Sequence, residues 1–469
     1  MARICGFYST KNNMNLPNFT HLDNLFYGLD LAKKDSQLAI LDESGNELSN
    51  FRFPSTKENF LLIAKNLRKT DTIALEVSTS ANAVMSVFKF NCEANSLLSN
   101  PLQTKVISNT RCKTDKVDAR VLADLARVEY LPTVWFADEN TLRLRHFFTD
   151  RELLVKHRTQ FKNQLHSILH RSLIKYETDS LFTQEGLGWL DKLLQTDELD
   201  SFEKDRINFI LLEIKRQNIL LDDLDATIAA FIQSNSAFAH QLNLLLSIPG
   251  VSLASGGAIL AAIGDISRFS SKQKLASYFG LTPKVKQSGE KLRLGRISKQ
   301  GNSYGRFMAI EAAAHFREVP LYNRLYQRIK KKKNHNTAKV AIARKLIELV
   351  WILLTKNEEF IYARPRLTDD KRSRVKQLAK RKVNLKLDKK PTNRVLYGTS
   401  LRGREIKDEI QKRGNNEAAR IADLLDLGKR LEKVSPSGFN PRKPTFTDWQ
   451  KLLEIIAENY AKELAKKKV

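Results

Sequence analysis

Residues 201–233, SFEKDRINFILLEIKRQNILLDDLDATIAAFIQ, keep apolar residues at helical spacing throughout and contain neither Gly nor Pro. Such a run is longer than a typical globular helix and needs a partner along its apolar stripe. It predicts a two-helix antiparallel arm or a coiled-coil contact between two copies of the chain.

The texture before it is different. FYGLDLAKKDSQLAILDESGNELSNFRF (26–53) reads as two β-rich runs flanking a Ser-Gly-Asn turn, a hairpin. A helical stretch, TKENFLLIAKNLRK, then leads to a short buried strand, TIALEVS. Strands interleaved with helices predict an α/β domain up to about residue 135. From Ala137 the pattern is helical and carries Arg143, Arg145, Arg151, Arg158, Lys162 and Arg171. These residues suit either a solvated face or contact with a phosphate backbone.

At 244–269, LLLSIPGVSLASGGAILAAIGDISRF, two helical stretches flank Pro249-Gly250. The pattern resembles a helix-hairpin-helix element, whose glycine turn offers backbone N–H groups to a phosphate; a tight helical corner is the alternative. Beyond about residue 360 the chain is polar and basic, and it ends in an amphipathic stretch, 446–469. The expected boundaries are a leader at 1–22, an α/β domain at 23–137, a helical linker and arm at 138–238, a mostly helical domain at 239–360 and a basic extension at 361–469.

The 469 residues include 79 Lys and Arg against 52 Asp and Glu, a net charge of +27. That field suits a polyanionic partner, nucleic acid first and an anionic membrane surface second. No run reaches the roughly 20 apolar residues a membrane-spanning helix needs, and the N-terminus lacks a secretory core, so a cytoplasmic, nucleoid-associated place in a prokaryotic cell is expected. Cys5, Cys92 and Cys112 form no C-x-x-C pair, which argues against a zinc ribbon or a disulfide framework.

Four acidic residues could carry chemistry. Asp30 lies in the first strand, Glu76 ends a later one, and Asp115 and Asp118 in KTDKVDA share one face of an opening helix. Taken singly they read as a strand-end polar residue, an exposed charge, an N-cap and a surface charge. Taken together they suit Mg2+, a hard cation that takes oxygen ligands from several elements. Without a metal such carboxylates repel one another.

This combination resembles the DEDD transposases of bacterial insertion sequences, the IS110 group, and the related Piv-type DNA invertases. SIPGVSLASGG through MAIEAA (247–313) is similar to the C-terminal transposase (Tnp) domain of that group, and the two matches together span roughly 26–360. The resemblance implies a RuvC-like (RNase H-like) α/β catalytic domain joined by a helical or coiled-coil arm to a mostly α-helical Tnp domain. It implies Mg2+ on Asp30, Glu76, Asp115 and Asp118, and a nucleophilic serine after GLTP. In GLTPKVKQSGEK the matching position is Ser288, with Ser298 and Ser303 as rivals.

The resemblance further implies DNA cleavage and rejoining through phosphoserine, a homo-oligomer (dimer or tetramer) in which one copy's serine meets another copy's acidic cluster, and guidance by a noncoding bridge RNA pairing with donor and target DNA. Lys113, Lys116, Arg293, Arg296 and Arg306 are then phosphate-binding candidates, with Arg143, Arg145, Arg158 and Lys162 of the helical stretch. Two departures stand out: Val77-Ser78-Thr79-Ser80 where the group usually has Ala-Thr-Gly, and a short loop between Asn100-Pro101 and KTD. Both put local loop geometry in question.

Without the resemblance, Ser288 is a turn residue. A metal-dependent nuclease or Holliday-junction resolvase using water, and a non-catalytic nucleic-acid-binding relative, are the competing functions. His157, His166 and His170 hint at a metal site but lack a further spaced ligand. Tyr322 and Tyr326, next to the basic run IKKKKNHNTAK, are candidates for base stacking.

Overall fold

The computed structural model describes residues 22–387 with Pro17 and Phe19, apart from 108–113, 177, 179 and 289–290. The chain divides into two units, Met1–Asp138 and Glu139–Val469.

The first unit is built on a five-stranded sheet in the order β3-β2-β1-β4-β5. The sequence suggested two runs joined by one turn, but three strands form: β1 (Phe26–Asp30), β2 (Asp35–Leu41) and β3 (Glu47–Pro54), all antiparallel neighbours. The first run breaks at Leu31–Lys34, where apolar alternation gives way to two lysines. The Ser44-Gly45-Asn46 turn joins β2 to β3, and Gly45 adopts φ +85°. After α1 (Lys57–Asn66), capped by Thr56, β4 (Thr72–Glu76) pairs parallel with β1. After α2 (Ala81–Asn91), β5 (Asn95–Ser99) pairs parallel with β4. α3 (Pro101–Ile107) and α4 (Asp115–Arg127) complete the unit.

Strand alternation decides which face each residue covers. Leu29, Ile73, Leu75 and Leu98 point into one core with Phe60, Ile63, Val84, Met85 and Phe88 of α1 and α2. Ala74 points the other way, to Leu122 and Ala126 of α4. α4 lies so close to β1 that a Cβ on Gly28 would stand 1.9 Å from the Ala119 carbonyl oxygen. Any side chain at residue 28 would lift that helix.

The second unit is mostly helical: α5 (Glu139–Arg171), α6 (Gln184–Leu193), α7 (Ser201–Ser234), α8 (Ser236–Leu246), α9 (Leu253–Ile263), α10 (Lys272–Tyr278), α11 (Ser303–Phe316), α12 (Pro320–Lys332), α13 (His335–Lys356) and α14 (Pro365–Leu387), with a β6–β7 hairpin (Pro283–Ser288, Lys291–Ile297) between α10 and α11. α5 and α7 run antiparallel. Leu144 and Phe148, near the start of α5, share a core with Ile228 and Ile232 near the end of α7, whereas Leu165 and Ile168 pack with Ile207 and Ile210. Between those apolar ends, Arg151 and Asp225 form a two-pronged ion pair of 2.7 and 3.1 Å. α14 packs against α7 and α8 and buries Thr368, Val375 and Ala379. The amphipathic stretch at 446–469 and the leader before Pro17 lie outside the described residues.

Candidate catalytic and nucleic-acid-binding sites

Asp30 and Glu76 end adjacent parallel strands, one residue past the Leu29–Leu75 pair. Each lies two positions beyond a residue on the α4 face, Gly28 and Ala74 respectively, so both belong to that face. The start of α4 is at the same end of the sheet. Asn50 donates to the Lys116 carbonyl at 3.1 Å and accepts from Gln37, which sits opposite Asp30. At the far end of α4, Arg127 donates to the Glu43 carbonyl beyond β2. Asp115 and Asp118 both fall in the first turn of the helix.

The N-cap of α4 is Thr114, whose hydroxyl accepts from the Val117 amide; Asp115 is the first helical residue and not the cap. Capping is therefore supplied without either aspartate. Both carboxylates still benefit from the positive end of the helix dipole.

The donor set is four carboxylates from three elements at one sheet end, which matches the oxygen chemistry of Mg2+ in type and backbone placement. Among the described residues, no three His, Cys, Asp or Glu side chains are gathered as a metal group. Asp30, Glu76 and Asp118 each have other interactions. The histidines of α5 form no such group either: the His166 ring packs against Tyr176 and Phe182.

Ser288 is the last residue of β6, paired in register with Lys291. The sequence alone suggested a turn residue, and the structure places it at a strand end. Lys286 pairs with Arg293 in the same hairpin. The hairpin base is held by Ser298 N–H to Thr282 O at 2.8 Å and by Arg306 donating to Phe279 O and Gln300 O. Ser303 opens α11.

The basic candidates separate by what already holds them. Lys116, Arg143, Arg293 and Arg296 are exposed, Arg143 pairing with Glu139 one turn away. Arg145 is half-buried and donates to the Ala261 carbonyl at 2.8 Å, fastening α5 to the end of α9. Arg158 donates to Asn218, and the Lys162 ammonium sits 4.3 Å over the Phe182 ring. Burial, with the Arg158 charge beside it, pushes Lys162 below its ordinary value. These three link parts of the protein to one another. Lys113 lies outside the described residues.

Two other sequence suggestions meet close packing. At the Pro249-Gly250 turn, Gly250 has φ +85° and a Cβ there would stand 2.4 Å from the Ala312 carbonyl of α11, so close packing on α11 accounts for the glycine. Tyr326 is 3 % exposed and hydrogen-bonds His335 and Arg317, so its ring offers no face to a base, while the half-buried Tyr322 packs on Phe316.

Two family models match the chain. A DEDD transposase model of the IS110 type, described as a transposase, matches residues 27–174, and a model described as the transposase IS116/IS110/IS902 family matches residues 242–327. The chain is 25 % identical over 347 residues to the transposase for insertion sequence element IS1111A of Coxiella burnetii, covering 71 % of this chain and 90 % of that one. It is 25 % identical over 353 residues to the pilin gene-inverting protein of Moraxella bovis, covering 72 % and 98 %. It is 20 % identical over 351 residues to the transposase of element IS1328 of Yersinia enterocolitica, covering 74 % and 99 %.

Proposed function

Because this chain belongs to the IS110 group of insertion-sequence transposases, enzymes that cut and rejoin DNA, we propose that it does so through a phosphoserine at Ser288 and a divalent-cation site at Asp30, Glu76, Asp115 and Asp118. The observation that carries this reading is the convergence of the two strand ends and the first turn of α4 on one sheet face.

Asp30, Glu76, Asp115 and Asp118 are the residues that would hold Mg2+. Bound there, the ion supplies charge neutralisation and polarisation of the scissile phosphate. The Ser288 hydroxyl attacks phosphorus and gives its proton to a base; the serine–phosphate bond forms as the bond to the leaving DNA oxygen breaks. Attack by a DNA hydroxyl on the phosphoserine then reverses the exchange and seals a new junction without ATP. Lys116, Arg293 and Arg296 suit the DNA phosphates because they are exposed.

The group resemblance supports three further parts of the proposal: a homo-oligomer in which Ser288 of one copy serves the acidic cluster of another, the α5–α7 pair as its contact, and a bridge RNA that reads donor and target DNA by pairing. The +27 charge is in keeping with holding RNA and two duplexes.

Incubation of wild-type protein with element-end DNA and Mg2+ is expected to give cleavage and a covalent protein–DNA adduct, and Ser288→Ala to lose both. Cleavage retained in Ser288→Ala would assign the nucleophile to water and make the protein a metal-dependent nuclease or junction resolvase. Asp115→Asn with intact recombination would remove the cation site. Sequencing of RNA that co-purifies with the protein tests the guide: one defined species with loops complementary to DNA ends is expected, and bulk heterogeneous RNA would overturn it.

A further inference from the structure

Ser99, the last residue of β5, is completely buried, and its hydroxyl has no hydrogen-bond partner. An unsatisfied buried hydroxyl lowers stability, and alanine at the same position would avoid the penalty. Its location suggests what the hydroxyl is for. β4 and β5 are parallel, with Ala74 opposite Leu97 and Glu76 opposite Ser99. Ala74 and Leu97 both pack toward α4, so two residues further on Glu76 and Ser99 are neighbours on that same face, across a strand spacing of about 4.8 Å.

The Ser99 backbone is fastened on both sides. Its carbonyl accepts from the Val77 amide at 3.2 Å, and on the opposite edge it bridges to Thr133. The flanking bonds, Asn100 N–H to Pro132 O and Val134 N–H to Leu98 O, complete the clamp. Only rotation about the Cα–Cβ bond and the hydroxyl torsion are left to the side chain, which makes it a donor held at a set position next to a half-buried carboxylate.

We propose that Ser99 is a positioning residue for Glu76, donating its hydroxyl from the β5 side to one oxygen of the Glu76 carboxylate, so that the other oxygen is left to a divalent cation on the Asp30 side. The inference rests on the reading of Asp30, Glu76, Asp115 and Asp118 as the cation site. Such supporting donors orient a ligand without touching the metal, and their loss commonly weakens metal binding by about 10- to 100-fold.

The test is a calorimetric Mn2+ titration of the full chain, wild type against Ser99→Ala, Ser99→Cys and Asp30→Asn, together with the Tm of each protein without metal. The expected result is at least about tenfold weaker Mn2+ binding in Ser99→Ala, an intermediate loss in Ser99→Cys with its weaker donor, and a metal-free Tm in Ser99→Ala equal to or above wild type. Wild-type Mn2+ affinity in Ser99→Ala, with binding abolished in Asp30→Asn, would overturn the role of Ser99 and leave the cation site standing. Undiminished binding in Asp30→Asn would overturn the cation site and Ser99 with it. A fall in the metal-free Tm of Ser99→Ala would make the hydroxyl a structural group and also overturn the proposal.

Discussion

Gly28 and Ala119 meet backbone to backbone: a methyl group at residue 28 would stand 1.9 Å from the Ala119 carbonyl oxygen and 2.5 Å from the Ala123 amide nitrogen. That contact sets the height of α4 above β1. It thereby sets where Asp115 and Asp118 stand relative to Asp30, two residues along the strand from Gly28.

Gly28→Ala is therefore expected to cost about 3 kcal/mol of unfolding free energy, at the upper end for overpacking because both neighbours are main chain. Urea unfolding measures the loss. The variant is also expected to lose DNA cleavage, since α4 must rise with its aspartates.

Arg151 and Asp225 link α5 to α7 through a pair whose side chains are only 16 % and 24 % exposed, and Arg151 also reaches Tyr304 of α11 at 3.5 Å. Asp225→Ala leaves a largely buried guanidinium unpaired and is expected to cost about 3 kcal/mol. The double replacement Arg151→Met with Asp225→Leu is expected to cost less than Asp225→Ala alone, which chemical denaturation of the three proteins checks.

Lys371 of α14 donates to the Leu246 and Ile248 carbonyls, both at 2.8 Å, where α8 ends. Burial pushes its ammonium down to about 8. The unfolded chain then binds this proton more strongly than the folded one between about pH 8 and the ordinary lysine range near 10.4, so stability rises with pH across that window and is flat below it. Denaturation from pH 7 to 10 should show wild type gaining on Lys371→Met above pH 8; parallel curves would refute the assignment.

Tyr326 hydrogen-bonds His335 and accepts from Arg317 at 2.9 Å within the core. Tyr326→Phe is expected to cost about 1 kcal/mol while leaving DNA affinity and its salt dependence unchanged. A weakened complex with normal stability would show that the hydroxyl contacts DNA and not Arg317 and His335 alone.

Local signals in the chain are legible where period and caps are strong. TIALE gave β4, the unbroken run at 201–233 gave α7, and KTDKVDA gave the opening of α4. The first β-rich run was harder, because DLAKKDS contains no Gly or Pro and the break into β1 and β2 comes from two lysines that must reach water. The capping role of Thr114 was hidden because Asp and Thr are both good caps and only geometry chooses between them.

Sequence alone determined the α/β character of the first part and the helical character of the second, the placing of four carboxylates at element ends, and the basic charge, since these follow from periodicity and composition. Tertiary structure decided which charges are already used and which face each residue covers. Arg145 and Arg151 look in sequence like Arg143, yet they are tied to α9 and α7 because burial leaves a guanidinium no choice but a protein partner. Tyr326 carries a signature of nucleic-acid contact and is closed off in the core, while the glycine at 250 answers to its packing on α11. The neighbourhood of Ser99 and Glu76 depends on a strand register, and register is a property of the paired sheet that neither segment contains by itself.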